Sequence, residues 1–406
     1  MESTYVVDYG HHTVKCGRVY TGKGAGTKAA RAAAASGTAV VAHTGSAGLE
    51  GNRFHSVDLV TPVLRKGCDA AASETAASST RSSTANFGTS TLALLLPVAT
   101  PRGDMEALTQ VAFETLGARR FWTAASGACA LSAAGLTSGT VVDCGEFETR
   151  VVPVHETLPQ HALTRVTARG GWHHTSALRE AVLQTTPAAF ANNTDSASVI
   201  RAVEAAKANC GWSAAPNGHE AAGTRTFELP DGEVAREVTA AKCDLNVAAC
   251  RLFDVRWRSI GGALGGSAAA AAPGPGVVDA LKSALRAASL DAPAASRDVV
   301  LSGGPSLIPG TDDRVSRPLQ PSHDVAATAP PSDTPANEVP AVATEPPFAT
   351  TAGIGSYAVF RPLRDRQNAP WAGASILCQL SSFTGFTVDR AAYNEEGPRC
   401  VRACTS

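Results

Sequence analysis

Large aromatic side chains are scarce in this chain, at 5% of 406 residues, and methionine occurs only twice. Few bulky anchors are therefore available for the core, and burial must be spread over many small side chains, each worth roughly 25 cal/mol per Å² of apolar area. No apolar run approaches the ~20 residues that a membrane span requires. The longest, Leu92 to Val98, reads as a buried strand. The ten cysteines include no C-x-x-C pair, which argues against a zinc ribbon or a dithiol redox motif. With no apolar leader at the N-terminus, reduced thiols in a cytosolic or nuclear protein are the expectation. An excess of charge of either sign is also lacking: the net value is −1, and the cluster Arg361, Arg364 and Arg366 is interrupted by Asp365. Nothing here draws the chain to nucleic acid or to an anionic membrane.

Alanine is over-used, and apolar residues reach 44%, a globular value. The length implies two or three domains. Two short loops stand out, Asp8-Tyr9-Gly10 and Asp143-Cys144-Gly145. Each follows a run of strand character, Tyr5-Val6-Val7 and Thr140-Val141-Val142. A strand that ends in Asp-x-Gly brings a carboxylate and a bare backbone turn to one place, an arrangement suited to a phosphate and its metal ion.

Along the chain, residues 1–17 read as a strand, a turn and a return strand. Residues 20–56 are rich in Gly, Ala, Thr and Ser and read as a loosely packed lobe. The polar tract from Ser73 to Thr91 carries no clear signal. After the strand at Leu92, Asp104-Met105-Glu106 opens a helix with Leu108, Val111, Ala112 and Leu116 on its buried face. Phe121–Gly135 reads as a second helix of small residues, and Arg150-Val151-Val152-Pro153 as an antiparallel return strand. Helical patterns recur at 176–184, 197–208 and 277–288. A strand enters a turn at Phe227–Gly232, and another enters Gly303-Gly304. Residues 261–276 read as a linker, residues 312–350 as a disordered insertion, and 356–406 as a closing strand-helix-strand unit.

Several further motifs occur in order. They are Phe113-Glu114-Thr115, Ala133 to Asp143, Leu158-Pro159 with His161, and Glu228-Leu229-Pro230-Asp231-Gly232. Leu301-Ser302-Gly303-Gly304 follows, then Pro309-Gly310, Asp313-Arg314 and Trp371-Ala372-Gly373-Ala374-Ser375. Together with the glycine turns at 10, 145 and 303–304, this series resembles the actin family within the actin, sugar kinase and heat-shock ATPase superfamily. The resemblance runs from about residue 5 to the end, with gaps at 20–56 and 312–350. It implies an α/β, actin-like ATPase fold, in which two related lobes with mixed sheets flank a nucleotide cleft. The implied divisions are a small-lobe core at 1–27 and 62–133 and a small peripheral subdomain at 28–61. The large-lobe core covers 134–167 and 259–354, its peripheral subdomain 168–258, and 355–406 returns to the small lobe.

The resemblance implies ATP or ADP with Mg²⁺ as cofactor. Asp8 and Asp143 match the residues that hold the metal, largely through water, as suits a hard ion that dehydrates reluctantly. Gly10, Gly145 and Glu146 match loop positions, Lys15 the phosphate-binding lysine, and Gly303 and Gly304 the turn on the adenosine side. Lys207, like Glu204, lies near the nucleoside-contacting pair with shifted spacing. The departures from the family are equally informative. His11 and His12 stand where small residues wrap phosphate, Glu146-Phe147 replaces Asp-Gly, and Pro305 removes a backbone donor. Ser126 and Arg150 take the places of the glutamine and histidine that position the attacking water. Serine is short, and arginine stays protonated and cannot serve as a base.

The expectation is thus a divergent actin-related protein that is not an ATPase, with nucleotide binding weak or absent. It would act as a subunit among other proteins of an actin-associated assembly, in the cytoplasm and cytoskeleton. Val14-Lys15-Cys16-Gly17, Leu136-Thr137-Ser138-Gly139 and Leu163-Thr164-Arg165 are similar to a subunit of the complex that nucleates branched filaments. The alternative is a nuclear subunit of a chromatin-remodelling complex; a superfamily kinase or a filament-forming actin fits the altered cradle less well. Residues 20–56 offer only Arg53 and Phe54 as interface anchors, and the surface near Gly135-Leu136 and Phe383–Tyr393 reads as neither apolar nor charged. A homopolymer is therefore not expected.

Overall fold

The structure is a computed structural model. It describes residues 2–21, 38–42, 49–50, 53–54, 57–74, 84–176, 178, 203, 207, 224–229, 236–241, 276–316, 319, 359–361, 363 and 365–404. Among these residues two six-stranded sheets dominate. The first runs Val388–Asp389 (β16), Arg120–Ala125 (β7), Ser90–Leu96 (β6), Glu2–Tyr9 (β1), Thr13–Thr21 (β2) and Thr38–Ala42 (β3). In the second, Leu158–Pro159 (β10) and Arg165–Thr167 (β11) both pair with Thr149–His155 (β9). Gly139–Cys144 (β8), Asp298–Ser302 (β14) and Val359–Arg361 (β15) follow in order. Two small hairpins lie apart, Leu49–Glu50 (β4) with Arg53–Phe54 (β5), and Thr224–Leu229 (β12) with Arg236–Ala241 (β13).

The sheets repeat one plan. In each, an antiparallel hairpin, β1–β2 or β8–β9, supplies the central strand. That strand then pairs in parallel with β6 or β14, which pairs in parallel with β7 or β15. The central strands are buried on both faces, which explains their unbroken β-branched and leucine content.

Helices close the layers: Val57–Glu74 (α1), Arg102–Gln110 (α2), Ser126–Ala133 (α3), Val277–Asp291 (α4), Thr311–Ser316 (α5), Ala369–Cys378 (α6) and Arg390–Glu396 (α7). Helix α3 follows β7 of the first sheet yet packs on β8, β9 and β14 of the second. Helix α6 follows β15 of the second sheet and packs on β1, β2 and β6 of the first. The two exchanged helices meet back to back. At Gly373 a Cβ would overlap the Cys129 carbonyl oxygen, so α6 lies against the bare backbone of α3. The Trp371 indole N–H, donated to the Val6 carbonyl at 3.1 Å, fixes α6 on the first sheet.

Several expectations need correction. Phe121–Gly135 is not one helix: Arg120–Ala125 is a strand, and the helix begins at Ser126. Phe121-Trp122-Thr123 are strand formers, and parallel pairing with β6 outweighs the alanines that follow. Helix α1 gave no sequence signal, and the expected 61/62 boundary falls inside it. Strand β3 belongs to the first sheet rather than to a peripheral lobe. Residues 312–316 belong to helix α5, with Thr311 and Val315 buried, and so are not part of an insertion. Helix α4 and the strand after it match expectation. The readings at 197–208, 261–276 and the rest of 312–350 lie almost wholly outside the described residues.

Gly373→Ala tests the helix exchange. Its new methyl has no room, and overpacking of this kind costs about 1–3 kcal/mol. A clear drop in the urea midpoint is expected, whereas Gly304→Ala, with nothing within 4 Å of the new Cβ, should leave the midpoint nearly unchanged.

Candidate functional site

The two Asp-x-Gly loops are the turns of equivalent hairpins, and their geometry is the same. The Gly10 N–H donates to the Thr13 carbonyl at 3.2 Å, and the Gly145 N–H to the Glu148 carbonyl at 3.0 Å. In both, a Cβ on the glycine would press into that carbonyl oxygen, at 2.8 and 2.9 Å. Glycine is needed for the tightness of the turn, before any ligand is considered.

Hairpin register then places a cation opposite each aspartate. Asp8 pairs with Lys15, and Asp143 with Arg150. The Lys15 ammonium donates to Asp8 Oδ2 at 3.0 Å and also to the Gln367 carbonyl, just before α6. Arg150 is buried and ion-paired with Glu148. Burial lowers its pKa to about 10, against the pull of Asp143. Burial raises the Asp143 carboxyl above its ordinary range; Arg150 and Lys15 oppose this, and the like charge of Asp8 adds to it. The four groups lie close enough to act on one another's charge. The Ser126 hydroxyl, at the N-terminus of α3, reaches Asp143 Oδ2 at 3.5 Å, so its reach ends at the carboxylate.

Above the carboxylates the loops touch. The His11 ring meets Phe147 edge-on, with centroids 5.7 Å apart, and Phe147 tilts toward Trp172 at 6.2 Å. Phe147 does not occupy the positive-φ region, where a non-glycine residue would be strained. The turn accepts a large side chain without strain, and the ring, 40% exposed, touches His11 of the first loop. Behind it, the N–H groups of Gly171 and Trp172 donate to the carbonyls of Gly145 and Glu146, at 2.9 and 2.7 Å. Gly170 has no space for a Cβ against the Glu146 carbonyl. This strap was missed in sequence, although the Gly170-Gly171 doublet marks it.

The other expected residues are distributed as follows. Gly303, at φ 89°, packs on the Cys144 backbone, and its N–H donates to the Arg366 carbonyl at 2.9 Å. Its bare Cα is thus required by protein packing. Gly304 faces open space. Lys207 donates to Thr175 Oγ1 at 2.8 Å and to the Gly171 carbonyl at 3.3 Å, which ties it to the strap. Glu204 lies outside the described residues. His12 is half-buried.

The donor set does not fit a resident Mg²⁺-nucleotide well. Each aspartate faces a cation across its hairpin, Lys15 also donates to a backbone carbonyl, and the His11 and Phe147 rings touch between the loops.

A second cavity, of about 220 Å³, opens beside α3 and α6. Leu96, Trp122, Leu377, Leu380, Phe383 and Phe386 line its apolar part, and Leu380 and Phe386 are half-exposed. This corrects the expectation of a featureless surface near Gly135-Leu136: α6 and the following turn gather apolar residues that are spaced apart in sequence.

His174 sits beside the strap, fully buried, and neither ring nitrogen has a hydrogen-bond partner among the described residues. Burial, reinforced by the charge of Lys207, lowers its pKa to about 3. Because this value is below the ordinary 6.5, the unfolded chain takes up the proton first. Its contribution to stability is complete above pH 6.5 and is lost as pH falls toward 3. By linkage, about 2 kcal/mol should disappear between pH 7 and pH 5. Urea unfolding at both pH values should show that loss shrinking in His174→Leu.

Comparison with known proteins agrees with this architecture. The family model described as actin matches residues 1–198 and 176–405. Actin-related protein 2 of Acanthamoeba castellanii is 24% identical over 318 residues, covering 76% of this chain and 72% of that protein. With its two related lobes of mixed sheet around a cleft, the chain belongs to the actin family.

Proposed function

We propose that this protein is a divergent actin-related protein that works as a structural subunit of an actin-associated cytoskeletal assembly, without hydrolysing ATP. The observation that carries this reading is the contact of His11 with Phe147 across the mouth of the cleft. Backbone N–H groups of both loops would have to converge on a phosphate there, and the rings stand in the way. Ser126 and Arg150 support it further. The serine hydroxyl stops at Asp143, and the guanidinium is held by Glu148, so neither side chain can orient a water molecule for attack. In the family such a cleft takes ATP or ADP with a divalent ion; here nucleotide binding is weak, and the inherited loops serve the fold.

The likeness to Actin-related protein 2 of Acanthamoeba castellanii favours a cytoskeletal, cytoplasmic role among other protein subunits over a nuclear one. The short matches at Val14–Gly17, Leu136–Gly139 and Leu163–Arg165 favour the branched-filament nucleating complex as that assembly. The half-exposed apolar residues Leu380 and Phe386 provide a surface suited to protein contact.

Purified protein should release no phosphate from Mg²⁺-ATP above background, and ATP should raise its Tm little. The paired change His11→Ser with Phe147→Gly, which clears the mouth, should tighten ATP binding at least about tenfold, or ~1.4 kcal/mol. Calorimetric titration checks this. Phosphate turnover by the wild type that Asp143→Asn abolishes would overturn the reading.

A further inference from the structure

The cleft carries its own counter-ions, arranged by the internal repeat of the fold. Seven residues after each loop aspartate, hairpin register brings a permanent cation directly across the strand pair, Lys15 opposite Asp8 and Arg150 opposite Asp143. Both cations are buried. Lys15 bonds Asp8 and is also anchored on the Gln367 carbonyl, while Arg150 faces Asp143 across the hairpin and is ion-paired with Glu148. Lys15 cannot swing away without breaking both contacts, and a buried charge such as Arg150 would be costly to leave unpaired. A divalent ion entering between the aspartates would meet two positive charges that have nowhere to go.

We propose that Arg150, with Lys15, is a built-in replacement for the divalent metal of this cleft, each cation balancing the aspartate of its own hairpin so that no bound ion is needed there. Arg150 is the specificity-determining residue. It neutralises the second aspartate and excludes the cation, while Lys15 couples the first loop to the segment leading into α6. This inference rests on the reading of the cleft as an inherited nucleotide site, but it concerns the metal and can fail independently of catalysis. Removing the guanidinium would leave the Asp143 and Glu148 carboxylates without their counter-charge, and carboxylate oxygens of this kind are the ligands a hard divalent ion takes.

The experiment is a Mn²⁺ titration of the full-length, nucleotide-free protein, with free Mn²⁺ followed by electron paramagnetic resonance. The wild type should bind weakly, and its Tm should be the same in EDTA and in Mn²⁺. Arg150→Gln should bind one Mn²⁺ at least about tenfold more tightly, since repulsion between buried like charges is worth a kcal/mol or more. Mn²⁺ should also raise its Tm. Arg150→Lys should behave as the wild type, and adding Asp143→Asn to Arg150→Gln should abolish the gain. Should Arg150→Gln fail to fold without metal, recovery of folding by Mn²⁺ supports the proposal and failure to recover overturns it. Lys15→Gln repeats the test at the other cation. Tight Mn²⁺ binding by the wild type that Asp143→Asn removes, or no gain in either variant, overturns the inference. A wild type that binds Mn²⁺ but turns over no ATP sinks this inference and leaves the proposed function standing. Turnover of ATP by a protein that binds no free Mn²⁺ does the reverse.

Discussion

The backbone contact between α3 and α6 is the constraint on which the rest of this structure depends. Each helix leaves one sheet and packs on the other, so the lobes are joined by exchange rather than by a simple linker. Exchange requires the helices to cross closely, and the crossing is possible because Gly373 has no side chain to push against the Cys129 carbonyl. The backbone of Ala133, one turn on, lies within 3.0 Å of the same point. A composition poor in aromatics would weaken an ordinary core. Here it permits close approach where the fold needs it, and dispersion between well-packed small groups replaces the area that large side chains would bury.

From that crossing the cleft follows. Helix α3 starts at Ser126, next to Asp143, and α6 is preceded by Gln367, which accepts from Lys15. The aspartates, their cations and the ends of the crossing helices therefore meet at one point. The same segment holds the turn after β14 through the Gly303 N–H and the Arg366 carbonyl. What lies there is a junction of backbone contacts and charge pairs. The rings of His11 and Phe147 then touch between the two loops.

Much of this was legible in the chain. The strands that end in Asp8 and Asp143 show their buried β-branched runs, and the hairpin returns were readable because the residues alternate or run apolar over the right length. The seven-residue offset from each aspartate to a cation was also present, but its meaning depends on register, which one residue of slip would reverse. Helix α1 and the strand Arg120–Ala125 were not legible. The first contains Gly67 and Pro62 within a mixed pattern, and the second owes its state to its neighbour β6. The apolar cavity was hidden because its walls come from segments far apart in sequence, brought together only when α6 docks.

The sequence by itself determined the family and the two hairpin loops. These depend on local identity and order, which the linear chain carries in full. Only the tertiary structure decided that Lys15 turns to a carbonyl, that Arg150 is buried against Glu148, and that His11 and Phe147 meet. Those outcomes depend on which side chains face each other across strands and between lobes. The energy of a buried charge or ring is set by those neighbours, and nothing local in the chain specifies them.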